Sequence, residues 1–108
     1  MDSPNPRYRD WRELIKRRIY QVWEYPEAAR GSALGGEVLL AFTLNRAGTL
    51  LSVWLIRSSG YPILDQEAVR AVKAAAPFDP FPPDLVEDPV NIAGSFSYYP
   101  SPSRFFRN

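Results

Sequence analysis

Asp65, Glu67, Asp79, Asp84, Glu87 and Asp88 put six carboxylates within residues 62–89, against only Arg70 and Lys73. Paired carboxylates can act as general acid and base in glycoside hydrolysis, or gather oxygens around calcium. Their spacing matches no calcium loop, and no Gly-rich turn or aromatic cleft flanks them, so they read as solvated acids. The chain has no His and no Cys. That removes histidine acid–base pairs, thiol nucleophiles, Ser-His-Asp triads, haem ligation and structural zinc sites. No cofactor is implied, and the residues point away from an enzyme.

A second cluster carries charge rather than chemistry. Arg7, Arg9, Arg12, Lys16, Arg17 and Arg18 stand against Asp10 and Glu13, so six cations and two carboxylates give residues 7–18 a charge of +4, with Trp11 among them. Such a face suits nucleic acid or an anionic membrane, and its binding would weaken steeply with salt. The whole chain is only +1, and a charged helix face is commonly just solvated, so no nucleic-acid partner is expected.

A chain of 108 residues, 45% hydrophobic and 23% charged, buries roughly two-thirds of its unfolded surface and can hold one core without metal or disulfide. No run approaches the roughly 18–20 apolar residues that span a bilayer, and Met1-Asp2-Ser3-Pro4 lacks a signal-peptide centre, so these residues are expected to be soluble. Tyr8, Trp11, Leu14, Ile15, Ile19 and Val22 recur at spacings of three and four, which predicts a helix over 8–23. Pro26 ends it, and residues 26–30 can add one turn closed by Gly31. Val38, Leu40, Phe42 and Leu44 alternate in a strand over 36–44. Asn45-Arg46-Ala47-Gly48 turns the chain into a second strand over 50–58, with Leu51, Val53 and Leu55 inward and Trp54 on the other face.

Ser58-Ser59-Gly60-Tyr61-Pro62 breaks that strand. Leu64, Ala68, Ala71, Val72 and Ala75 then share one face of a helix over 63–75. Five prolines make 76–89 an extended connection, and Ile92, Gly94, Phe96 and Tyr98 alternate in a last strand over 90–99. Trp11, Trp23, Trp54, Tyr25, Phe78 and Phe81 are expected to fill the core or the space between helix and sheet. Residues 1–7 and 100–108 read as loose tails around a domain of 8–99.

This order is α+β. The second helix returns the chain so that the last strand runs parallel in sense to the second, and it pairs antiparallel only beside the first. The expected fold is therefore two helices on one face of a three-stranded antiparallel sheet of order 2-1-3. The last strand is then an edge, whose unpaired backbone groups can accept a partner's extended segment. Asn91, Ile92, Ala93, Gly94, Ser95, Phe96 and Ser97 are the candidate binding residues, the small ones leaving the approach open. A second copy of the chain can use the same edge.

Tyr25-Pro26-x-x-Ala29, Gly36, Gly48, Ser58-Ser59-Gly60, Leu64-Asp65-x-x-Ala68, Pro77-Phe78, Pro80-Phe81-Pro82 and Phe96-x-Tyr98 fall in the order and spacing of the TonB C-terminal domain family. Over about residues 8–99 the chain resembles that family. The resemblance implies a periplasmic domain tied by a proline-rich spacer to an inner-membrane helix that associates with ExbB and ExbD. It implies binding to the TonB box of outer-membrane transporters, such as those for siderophores, and transmission of proton-motive-force energy to them. It adds Gln21, Tyr25 and Pro26 as partner contacts, although residues 20–24 here read Tyr20-Gln21-Val22-Trp23-Glu24 where the enterobacterial form is polar. The membrane helix and spacer are not among these residues, so the chain is expected to be a piece of a longer protein, or an atypical member. The TolA domain of cell-envelope integrity resembles the same fold and is the nearest alternative; the basic face of residues 7–18, binding nucleic acid or lipid, is the alternative of a different class.

Overall fold

Residues 36–44 place an apolar side chain at every second position, and Val38, Leu40, Phe42 and Leu44 are each at most 2% exposed. They form β1, Gly36–Leu44, the middle strand of the sheet. The computed structural model describes residues 6–31 and 34–98; residues 1–5 and 100–108 of the expected tails, and residue 99 of the expected last strand, lie outside the described residues. Around β1 the elements are α1 (Pro6–Val22), α2 (Glu27–Gly31), β2 (Leu50–Arg57), α3 (Pro62–Ala75) and β3 (Val90–Tyr98). The sheet order is β2-β1-β3, antiparallel throughout, as the sequence predicts. There are three helices rather than two, because Glu27–Gly31 closes a turn of its own after Pro26.

One core joins the β1 row to Val90, Ile92, Phe96 and Tyr98 of β3, to Trp11, Ile15 and Ile19 of α1, and to Leu64, Ala68, Ala71, Val72 and Ala75 of α3. Small residues on α3 let it lie against both β1 and β2, and α1 packs along α3. Arg18 of α1 donates from Nε and Nη2 to the carbonyl of Ala75, at 3.1 and 2.8 Å. One cation of the basic cluster is thus spent on the last carbonyl of α3.

Several expectations are corrected. Helix α1 begins at Pro6, two residues early, since Pro suits a first helical turn. Leu14 sits on the outer flank of α1 and is 40% exposed. Along β2, Leu51, Trp54, Leu55 and Ile56 are all exposed, so Leu51 and Leu55 are not buried in the core, although Leu55 pairs with Leu40 on the core-facing side; Trp54, opposite Ala41, lies on the other face as expected and does not fill the core. Ile56 and Leu51 fall at the irregularities Leu39/Leu40 and Thr43/Leu44, where the ladder loses its strict alternation, while Leu55 and Trp54 lie in the regular stretch between them on an edge strand.

The extended proline-rich connection is pinned to the sheet. Phe78 N–H donates to Gly48 O at 2.9 Å and Phe81 N–H to Arg46 O at 3.0 Å, so the segment folds back on the β1–β2 turn. Phe81 meets the Trp11 ring edge-on at 5.0 Å, and Trp11 Nε1 donates to Asp79 O at 2.9 Å. Gly48 makes this approach possible. Its φ is +89°, and a Cβ there would lie 2.1 Å from the Phe78 carbonyl oxygen.

Gly48→Ala is expected to cost about 2 kcal/mol or more of unfolding free energy, from backbone strain and the collision together. Phe42→Ala is expected to cost about 3–5 kcal/mol. Urea unfolding midpoints of the two variants check both figures, and an unchanged midpoint would discard the corresponding assignment.

Candidate functional site

Strand β3 is an edge, and a regular one. Its nine residues pair with β1 from Gly36↔Tyr98 to Leu44↔Val90 without a single register shift. Strand β2, the other edge, carries two irregularities. Bulges interrupt the even row of N–H and C=O groups that an added strand needs, whereas an unbroken strand offers alternate residues as a continuous template. Among the described residues no strand lies beyond β3.

The expected contact residues divide by face. Asn91, Ala93 and Ser95 are exposed and Ser97 half-buried on the open face of the sheet, while Ile92 and Phe96 are buried on the core face with half-buried Gly94 between them. The open face is knitted by side chains: Ser52 Oγ donates to Thr43 Oγ1 and Thr43 Oγ1 to Asn91 Oδ1, at 3.2 and 2.7 Å, across all three strands. Ser95 Oγ donates to Glu37 at 2.8 Å. Gln21 is exposed at the end of α1 and Pro26 is half-buried. Tyr25 is 5% exposed and its hydroxyl donates to Leu34 O, so its ring is a core element and presents little to a partner.

Trp23, given no contact role from sequence, is what brings this segment to β3. Its ring meets Phe96 and Tyr98 edge-on at 5.2 Å each, and Nε1 donates to Tyr98 Oη at 2.7 Å. Tyr98 Oη in turn donates to Leu64 O at 3.2 Å. Burial is the main reason the Tyr98 phenol is held well above its ordinary pKa. One hydroxyl therefore ties the end of β3 to the exit of α1 and the start of α3.

A groove of about 540 Å³ runs between α1 and β3. Tyr8, Arg12, Lys16 and Tyr20 form its helical wall, a ridge at four-residue spacing beside the buried stripe Trp11, Ile15 and Ile19. That spacing is visible in sequence, but only the fold puts the ridge next to the edge strand. Arg12 lies over the Tyr8 ring at 5.7 Å and Lys16 over Tyr20 at 5.9 Å.

Asp65 and Glu67, read from sequence as solvated acids, are buried and each fastens a junction. Asp65 accepts from Ser59 N–H at 2.9 Å, from Ser59 Oγ at 2.8 Å and from Ser58 Oγ. Burial alone would raise its pKa, but these three hydrogen bonds outweigh it and hold the carboxyl below its usual value. Glu67 pairs with Arg70 through two 2.7 Å bonds and accepts from Glu24 N–H at 2.8 Å, while Arg70 Nη2 donates to Val22 O. Among the described residues no cluster of three or more carboxylates that could hold a metal forms.

The family model described as Gram-negative bacterial TonB protein C-terminal matches residues 21–100. The chain belongs to the TonB C-terminal family. Protein TonB of Helicobacter pylori strain J99 is 35% identical over 81 residues, which cover 75% of this chain and 29% of that protein. This TonB-family domain thus spans under a third of that relative's length. The solution structure of the Helicobacter pylori TonB C-terminal domain superimposes with a TM-score of 0.70 at 24% identity, covering 92% of this chain and 96% of the other. TolAIII bound to a peptide derived from the N-terminus of TolB shares the fold, with a TM-score of 0.59 at 23% identity over 90% of this chain and 79% of that one. No described helix is long and apolar enough to cross a membrane.

Because Asp65 titrates lower folded than unfolded, its stabilisation is complete above the unfolded value near pH ~3.9 and is lost as pH falls through that value toward the folded one. The thermal midpoint of the TonB-family domain is expected to drop below about pH 4, and less steeply in Asp65→Asn. Calorimetry between about pH 2 and pH 7 measures both slopes.

Proposed function

We propose that this domain binds a short extended segment of an outer-membrane transporter, the TonB box, by strand addition to β3. The reading places it in the periplasm, joined to an inner-membrane anchor that works with ExbB and ExbD, and gives it a binding rather than a catalytic role. The observation that carries it is the unbroken nine-residue register of β3 at an open sheet edge, in a chain of this family. Main-chain hydrogen bonds would supply affinity, and alternate side chains selectivity. A pull along the added strand loads those bonds together in shear, so that energy from the proton-motive force can reach the transporter as tension during uptake. The reading also gives partner contacts to Gln21 and Pro26, which flank in sequence Trp23 and Tyr25, whose rings pack on Tyr98.

The basic face is a weaker reading, since Arg18 is engaged on the end of α3. A second copy adding at β3 is the competing occupant of the edge.

Titration of the isotope-labelled domain with synthetic TonB-box peptides is expected to shift the amides of residues 90–98, at low and at moderate salt. A TolB-derived peptide serves as the control for an envelope-integrity role. Shifts confined to residues 7–18 that vanish with salt would overturn strand addition in favour of an electrostatic partner.

A further inference from the structure

The core-facing row of β3 reads Val90, Ile92, Gly94, Phe96 and Tyr98, and every member but Gly94 is at most 7% exposed. Gly94 stands opposite Leu40 in the register and is half-buried. With no side chain there, the row has a notch, and the groove between α1 and β3 reaches through it to Phe42 in the core. The notch is floored by hydrocarbon and its rim is net cationic, because Arg9, Arg12 and Lys16 line the same groove against one acid, Glu13. Among the described residues neither Arg12 nor Lys16 has a carboxylate within ion-pair distance.

The helix and the strand run in the same direction. Trp11, near the start of α1, packs on Phe81 beside the β1–β2 turn, the end of the sheet where Leu44 pairs with Val90. Trp23, just past the end of α1, packs on Phe96 and Tyr98. Four helical residues advance about 6 Å and two strand residues about 6.6 Å. The ridge Tyr8, Arg12, Lys16, Tyr20 therefore steps nearly in time with the core-facing positions of any strand laid along β3.

We infer that this groove selects the added strand by one large apolar side chain seated in the Gly94 notch, with an acidic side chain two residues away held at Arg12 and Lys16. The inference rests on the strand-addition reading and names the class of segment it takes: an extended peptide with an apolar and an acidic residue at alternate positions on the side facing α1. Residues on the other side of that strand would lie beside Ala93 and Ser95 on the open face, where small exposed side chains make few demands.

Gly94 can be filled without breaking the fold. A Cβ built there meets only Phe96 Cε1, at 3.6 Å, an ordinary contact, and a β-branched residue suits a strand. The test uses ten-residue TonB-box peptides in which Leu is replaced by Ala position by position, with binding followed by calorimetry and by the amide shifts of residues 90–98. On the unaltered domain, Leu→Ala at one position is expected to weaken binding about tenfold or more, while neighbouring positions change it little. In Gly94→Val that discrimination is expected to fall below about threefold while the β3 shifts persist; Gly94→Ala, the smaller filling, should fall between. Exchanging Asp for Lys two residues from the Leu should weaken binding to the unaltered domain about threefold and improve it in Arg12→Glu. Discrimination that survives Gly94→Val, or no position preferring Leu, would overturn the notch while leaving strand addition standing. Peptides that bind without shifting residues 90–98, or do not bind at all, would overturn strand addition and the notch with it.

Discussion

Among the described residues only β1 has strand partners on both sides, so each of its neighbours ends the sheet with a row of groups that no described strand pairs. No further described strand hides them. Much else in the molecule can be understood as the management of those two edges. Strand β2 breaks its register twice and exposes Leu51, Trp54, Leu55 and Ile56 along a distorted ladder. Strand β3 keeps nine residues in even register and lays small polar residues along its open face. The asymmetry makes one edge a poor template and the other a good one.

Holding β3 straight takes more than its pairing with β1. Its last residues are clamped from the core side by Trp23, and the Tyr98 hydroxyl is shared between that indole and the carbonyl of Leu64. Glu67 and Arg70 fasten the exit of α1 to α3, Arg18 closes the far end of α3, and Asp65 fastens the start of α3 to the end of β2. The buried polar groups thus sit at the joints between elements while the interior of the core is hydrocarbon. Hydrogen bonds in such partly dry places gain strength and are costly to leave unmade, which favours one arrangement of the helices over its alternatives.

For a domain read as transmitting force, rigid joints behind the contact strand have a direct use. On that reading, strain applied to β3 would pass to β1 through the ladder and to both long helices through the contacts of Tyr98 and Trp23. The groove beside Gly94 is the one break in the core-facing row of that strand, and it opens toward cations whose aromatic neighbours, Tyr8 and Tyr20, line the same wall.

The sequence by itself determined the element order, the antiparallel sheet of order 2-1-3, the apolar rows of β1, β3 and α3, and the family. The elements and rows follow from periods of two and 3.6 residues and from turn residues at fixed offsets, all local properties of the chain, whereas the family came from the resemblance of its motifs in order and spacing. It did not determine what each polar or aromatic side chain would meet. Asp65 and Glu67 carry the composition of solvated acids and become buried fasteners, because Ser58, Ser59 and Arg70 reach them. Tyr25 carries a family motif and is spent on the core, and Trp54 has the hydropathy of a core residue yet stays on the surface, on the face of edge strand β2 opposite to the one that Leu55 shares with buried Leu40. The ridge Tyr8, Arg12, Lys16, Tyr20 was legible as a spacing, but its meaning depends on a strand some 70 residues later in the chain. Contacts between residues so far apart are decided by how helices and sheet pack, and only the tertiary structure contains them.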